Sequence, residues 1–436
     1  MKKFFYLMFC LMAVLTFSAC SDDDDAPKVS VFEVQLQYPE TAGVSPVEGV
    51  EVVMKNASNG VSFKKTTDNG GKAVFALPEG LYEASATEKR ISGGKVLVFN
   101  GLNTSVTVSS TSTSLVLPLE VSKGGSIVIK ELYVGGCPKD DGSGRFAMDQ
   151  YVVLYNNSTE KIDMSNFAFA MVNPFNSTGN NKDYENGRLF YENDHKIPAG
   201  VAVWYFNDNV VLEGGQQIVV SMTGAIDHTK TYSQSVDLSK ADYCFYDIEN
   251  FENAKYYPAP SETIATSHYM KSYKYGLGNA WPLSQLSPAF FIFNPEGTTL
   301  KAFVDDPSTT HNYGGNEKMG RKMVPESWIV DAIEVFKEGA DDNMKRLTNG
   351  VDAGYVYFTN GLGRTLYRNV DKAATEGIEA NKGKLVYNYQ TGVNGSVDPS
   401  GIDAEASVKN GARIVYMDTN NSTMDFHQRA KSSLKN

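Results

Sequence analysis

Apolar and polar residues alternate strictly near the start of the chain. Val34, Leu36 and Tyr38 lie on one side, with Glu33, Gln35 and Gln37 on the other. A period of two fits an extended strand with one face buried and does not fit a helix. Runs of the same kind recur at residues 50–54, 61–64, 73–77, 82–86, 95–99, 106–108 and 115–119, separated by Gly, Asn, Ser or Pro turns. Short strands at this spacing predict an antiparallel β-sandwich over residues 29–121.

Residues 67–82 (TDNGGKAVFALPEGLY) are the diagnostic part. Asn69-Gly70-Gly71 supplies a tight turn, Ala73, Phe75 and Leu77 point inward, Pro78-Glu79-Gly80 turns again, and Tyr82 starts the return strand. The segment resembles transthyretin-like and carboxypeptidase-regulatory-like sandwiches, which implies an immunoglobulin-sized spacer or stalk. Ser122-Lys123-Gly124-Gly125 ends it, and a second region covers residues 124–436. There, residues 126–133, 149–158 and 162–167 read as strand, Asn turn, strand. Together with residues 212–220 they resemble the lamin-tail sandwich. Asp149-Gln150-Tyr151, Tyr155-Asn156-Asn157-Ser158, Ala225-Ile226-Asp227-His228-Thr229, residues 237–242 (DLSKAD) and Asp418-Thr419-Asn420-Asn421-Ser422 resemble an uncharacterised family of Bacteroidetes-type outer-membrane lipoproteins. That resemblance implies a larger all-β domain with long loops and a few short helices, often encoded near TonB-dependent transporters. It transfers no activity. A short helix is expected from Asp237 to Ile248 and a strand at residues 412–417; residues 326–337 could be helix or strand, and their β-branched residues favour strand.

The amino terminus carries an address. Lys2 and Lys3 precede the apolar residues 4–17, which fall short of the roughly 20 residues a spanning helix needs. Ser18-Ala19-Cys20 resembles a bacterial lipobox, so residues 1–20 read as a lipoprotein signal peptide with Cys20 as the lipid attachment site. Residues 21–28 read as an export tag and tether. Within them Ser21, Asp22, Asp23, Asp24 and Asp25 resemble the tag that directs such lipoproteins to the outer leaflet. The expected location is the outer membrane, lipid-anchored and exposed at the cell surface. Two or three acyl chains would make that anchoring durable.

Composition narrows the chemistry. At 436 residues the chain is long enough for two or three domains. Loss of Lys2 and Lys3 takes the basic residues from 40 to 38 against 51 acidic ones, a net charge near −13. Such a surface repels phosphate backbones, which argues against nucleic acid as a partner. Cys137 and Cys244 are left as either a disulfide or two buried thiols. The five histidines never fall at zinc-site intervals, and no nucleophile elbow, Walker or HExxH motif occurs. No cofactor, metal or catalytic residue is therefore expected.

Two binding candidates remain. Asp227 and His228 form a polar pair on a loop, and the alternative is that Asp227 caps a turn. Tyr256, Tyr257, Tyr273 and Trp281 crowd a Ser/Pro/Gly-rich segment and could face a glycan, small molecule or protein, or fold inward as a plug. The expected function is a non-catalytic surface binding module, accessory to nutrient capture by an outer-membrane transporter. Adhesion to glycans or proteins is the second expectation, and a hydrolase the third.

Overall fold

The computed structural model describes residues 28–92, 95–123, 125–393 and 395–435. Cys20 and the Ser21–Asp25 tag lie outside the described residues. The chain is all-β, with four short α-helices among the described residues.

Residues 29–123 form two facing sheets. Strands β1 (Val29–Gln37), β4 (Lys72–Pro78) and β7 (Ser114–Pro118) make a three-stranded sheet in the order β4-β1-β7. Strands β2 (Glu51–Asn56), β3 (Ser62–Thr66), β5 (Gly80–Ser92), β6 (Lys95–Val108) and β8 (Glu120–Lys123) make the other, in the order β3-β2-β5-β6-β8. The alternation is used as written: Phe32, Val34, Leu36, Ala73, Phe75 and Leu77 point into one apolar core. Burying each large side chain contributes about 1.5–3 kcal/mol. Two details differ from the sequence reading. Residues 95–99 and 106–108 belong to one long strand, β6, and β1 pairs with β7 in parallel, so the sandwich is not wholly antiparallel.

From β9 (Ile127–Tyr133) onward a 14-stranded sheet curls back on itself. Its path runs from Val356–Phe358 through Ile329–Lys337, Ala289–Phe293, Ala168–Val172 and Lys196–Tyr205, and ends at Tyr151–Asn156, β9, Thr365–Arg368 and Phe426–Arg429. The two ends meet where Asp331 of Ile329–Lys337 accepts the Ile129 amide at 2.5 Å. Strands β9, Tyr151–Asn156 and Ala168–Val172 are buried along their whole length because both faces are covered. Inside the curl, Trp204 stacks on Phe245 at 4.3 Å.

Two sequence expectations fail here. Residues 237–248 form no helix: Asp237 turns the chain by accepting the Ser239 amide, and Tyr243–Phe245 is a strand. Residues 412–417 form no strand beyond a single bridge from Tyr416 to Val370, because side chains take much of the ladder's place. Thr375 accepts the Val415 amide at 3.0 Å, Asn157 accepts the Tyr416 amide at 2.8 Å, and the Tyr155 hydroxyl donates to the Ile414 carbonyl at 2.6 Å. The strand expected within residues 326–337 is present as Ile329–Lys337. Among the described residues no helix is long and apolar enough to cross a membrane.

Candidate functional site

The sandwich is docked on the larger body, and residues 418–421 form the wedge between them. The Asn100 side-chain amide donates to the Thr419 carbonyl at 2.5 Å, Asn421 donates to the Thr87 hydroxyl at 3.0 Å, and Asp418 accepts the Gly125 amide at 2.5 Å. Tyr355 of the body donates to Glu83 of β5 at 2.7 Å. Behind the wedge, Arg368 is fully buried against Asp331, Asp418 and Asp425. Burial raises the pKa of all three carboxyls, and the Arg368 charge opposes that rise.

Two clefts flank this wedge. The first, about 590 Å³, has apolar walls that include Leu119, Val121 and Ile329. Glu120 of β8 and Glu326 of the body converge there over Gly350, where a Cβ would come within 2.7 Å of one carboxylate oxygen and 3.1 Å of the other. His195 Nδ1 lies 3.1 Å from Glu326, whose second oxygen accepts the Thr348 hydroxyl. Burial, then the charges of Glu326 and Glu192, raise the Glu120 carboxyl to about 7. Glu120 can therefore hold a proton near neutral pH, and a cation bound beside it would displace that proton to solvent.

The second cleft, about 770 Å³, lies between strands β2 and β5 and the body segments 340–345 and 355–357. Tyr355 stacks on Phe336 at 4.1 Å and is closed over, whereas Tyr357 keeps 38% of its surface open. Lys55 holds its ammonium 5.3 Å from the Tyr357 ring. Both volumes fall in the range of small-molecule sites.

The residues singled out from sequence lie elsewhere and do not converge. Asp227 accepts the Thr229 amide as the cap of a short 3-10 turn. His228 is buried 5.2 Å from the Phe146 ring, and burial pushes its pKa down to about 4. Tyr257 and Trp281 are core residues, the Tyr257 hydroxyl accepting the Trp281 amide at 2.9 Å. Tyr256 packs against Tyr257, and Tyr273 stacks on Tyr205 at 4.7 Å. The aromatic segment is thus largely a plug, the second of its two readings. Cys137 and Cys244 are separate buried thiols, raised by burial to about 11 and 12. Among the described residues no three His, Cys, Asp or Glu side chains are arranged to hold a metal.

Sequence reasoning missed Glu120, Glu326, His195, Lys55, Tyr355 and Tyr357. One signal was available: Tyr355 and Tyr357 stand two apart in Gly-Tyr-Val-Tyr-Phe, a spacing that puts two residues of extended chain on one side. The family-like motifs prove to be fastenings. Gln150 bridges the Val134 and Leu283 carbonyls, Asp149 accepts from Ser235 at 2.6 Å, and residues 418–422 make the wedge.

A family model described as a protein of unknown function (DUF4876) matches residues 213–433. A crystal structure of a DUF4876 family protein from Bacteroides thetaiotaomicron VPI-5482 is similar at 20% identity, covering 91% of this chain and 94% of that one with a TM-score of 0.53. A crystal structure named as a "putative adhesin" from Bacteroides ovatus ATCC 8483 aligns at 16% identity over 32% of this chain and 66% of that one, with a TM-score of 0.18. No curated protein matches.

Proposed function

As the chain belongs to the DUF4876 family, whose function is unknown, we propose that it is a non-catalytic binding protein of the outer-membrane surface. In this reading it is anchored through lipid on Cys20 and takes its ligand at the junction of sandwich and body. The observation that carries the reading is the pair of clefts there, of about 590 and 770 Å³, each walled by both units. Neither unit alone forms either cleft, which gives the sandwich a role in recognition beyond spacing. The sandwich is transthyretin-like and the body lamin-tail-like in this account. A tether ending in acyl chains would hold the clefts beside a TonB-dependent transporter, to which the chain would deliver nutrients.

Two measurements test the reading. Intact-cell protease treatment should degrade the chain, and mass analysis should find fatty acid on Cys20. Pull-down from solubilised outer membranes should recover a β-barrel partner, and repeated recovery of none contradicts the uptake role. Adhesion is favoured by one different observation: the outer face of the three-stranded sheet exposes Val31, Val74 and Val116. That reading predicts binding to matrix proteins or glycans, with no growth defect on any limiting nutrient when the gene is deleted.

A further inference from the structure

The larger junction cleft has a chemistry of its own. Its floor is an aromatic step in which Tyr355 is locked between Phe336 and Glu83 while Tyr357, on the same side of the strand, presents its ring to solvent. The strand, Val356–Phe358, starts directly after Tyr355 and pairs in parallel with Ile329–Lys337, Phe336 opposite Tyr357, so the sheet fixes the Tyr357 ring. An exposed ring held this way offers a flat apolar surface at little entropic cost.

The polar groups around the step divide into those already satisfied and those left open. Lys345 spends its ammonium on the Gly354 and Asp352 carbonyls, and Asn343 uses both ends of its amide on residues 177, 337 and 340. Among the described residues Lys55 makes no ion pair and only ring contacts with Tyr355 and Tyr357. The Asn56 side-chain nitrogen is unused among the described residues, because the side chain bonds only through its oxygen, to the Ser58 and Asn59 amides. The Asp341 carboxylate accepts no hydrogen bond among the described residues, and Glu83 commits only one oxygen, to Tyr355. Two donors and two acceptors therefore stand open beside a solvent-facing ring that Lys55 flanks, with one positive and two negative charges among them.

That mixture does not select a strongly charged ligand. It suits a molecule whose every polar group both donates and accepts and whose flat C–H face covers a ring, which describes a neutral sugar. We propose that the cleft between β2, β5 and the Val356–Phe358 strand binds a neutral carbohydrate stacked on Tyr357 and oriented by Lys55, Asn56 and Asp341. The volume, about 770 Å³, admits a drug-sized ligand and so more than one sugar ring. The proposal rests on the junction being the binding region and names the ligand class for one of its clefts.

The test is a printed glycan array probed with the full chain in detergent, followed by calorimetric titration of the best neutral glycan. Wild type and Tyr357→Trp should bind, Tyr357→Ala should lose at least tenfold in affinity, and Lys55→Ala and Asp341→Ala should each lose several-fold. All of these positions are open enough for the variants to keep the wild-type melting temperature, which is measured alongside. Binding unaffected by Tyr357→Ala, or no neutral glycan retained, overturns the proposal. If instead a peptide or cationic compound binds and Glu120→Gln or Glu326→Gln weakens it, the carbohydrate assignment falls while the junction reading stands.

Discussion

The two units reach the same secondary structure by opposite means. In the sandwich most strands hide one face, and an apolar core runs from Phe32 to Leu119 with Thr67 and Asn100 among its few buried polar neighbours. In the body the central strands are buried on both faces, and fully buried ion pairs sit among the hydrophobic layers. Arg346 holds Glu334 through Nε at 3.0 Å and Nη2 at 2.6 Å and also donates to the Pro174 and Ser287 carbonyls. Arg321 grips Asp183 with two bonds of 2.5 and 2.9 Å. The sandwich is thus held by area removed from water, whereas long loops in the body are held in place by charges whose removal leaves an unpaired partner.

The largest expected effect breaks the body's side of this comparison. Arg346→Met leaves the buried Glu334 carboxylate without its cation, held only by the backbone amides of residues 346 and 347, and should cost about 3–5 kcal/mol. Urea unfolding followed by tryptophan fluorescence reads it directly, because Trp204, Trp281 and Trp328 all lie in the body. Next comes Leu77→Ala in the sandwich core, expected to cost about 3 kcal/mol through lost contacts and a cavity. The wedge at residues 418–421 couples the units, so the tryptophan midpoint should fall here too. An unchanged midpoint would mean that the units unfold separately.

A smaller effect sharpens the comparison at the boundary. The folded Glu120 carboxyl titrates near 7, above its ordinary value, so the folded state binds a proton more tightly than the unfolded chain does. Its contribution is intact below about pH 4.5 and is lost as the pH rises toward 7. Glu120→Gln should therefore stabilise the chain by about 1 kcal/mol at pH 8, after allowance for solvent screening, and by nothing at pH 4. Denaturation midpoints at the two pH values check the sign. The smallest effect belongs to the exposed pair Lys64 and Glu51, 2.8 Å apart on β3 and β2. Lys64→Ala should leave the melting temperature unchanged within error.

Legibility in the sequence follows the same division. Alternation exposed β1, β2 and β4 almost residue by residue, because one face of each meets water. Where strands such as β9 are buried on both sides, the pattern still reads as strand but gives no face, and so no layer. Residues 412–417 misled because Ile414, Val415 and Tyr416 favour a strand intrinsically, yet Asn157 and Thr375, distant in sequence, capture their backbone amides. The site was hidden for a related reason. Glu120 and Glu326 are 206 positions apart, and Lys55 and Tyr357 meet only when the units dock, whereas the aromatic run at residues 256–281 advertised a surface that the fold consumes as core.

The central claim is that ligand enters where sandwich and body meet. Hydrogen–deuterium exchange of the full chain, with and without its best array glycan, tests this most directly. Protection should appear together in both units, around residues 55–60 and 83 and around residues 340–345 and 355–357. Protection confined to one unit or centred on residues 256–281, or an unchanged exchange pattern, would contradict the account.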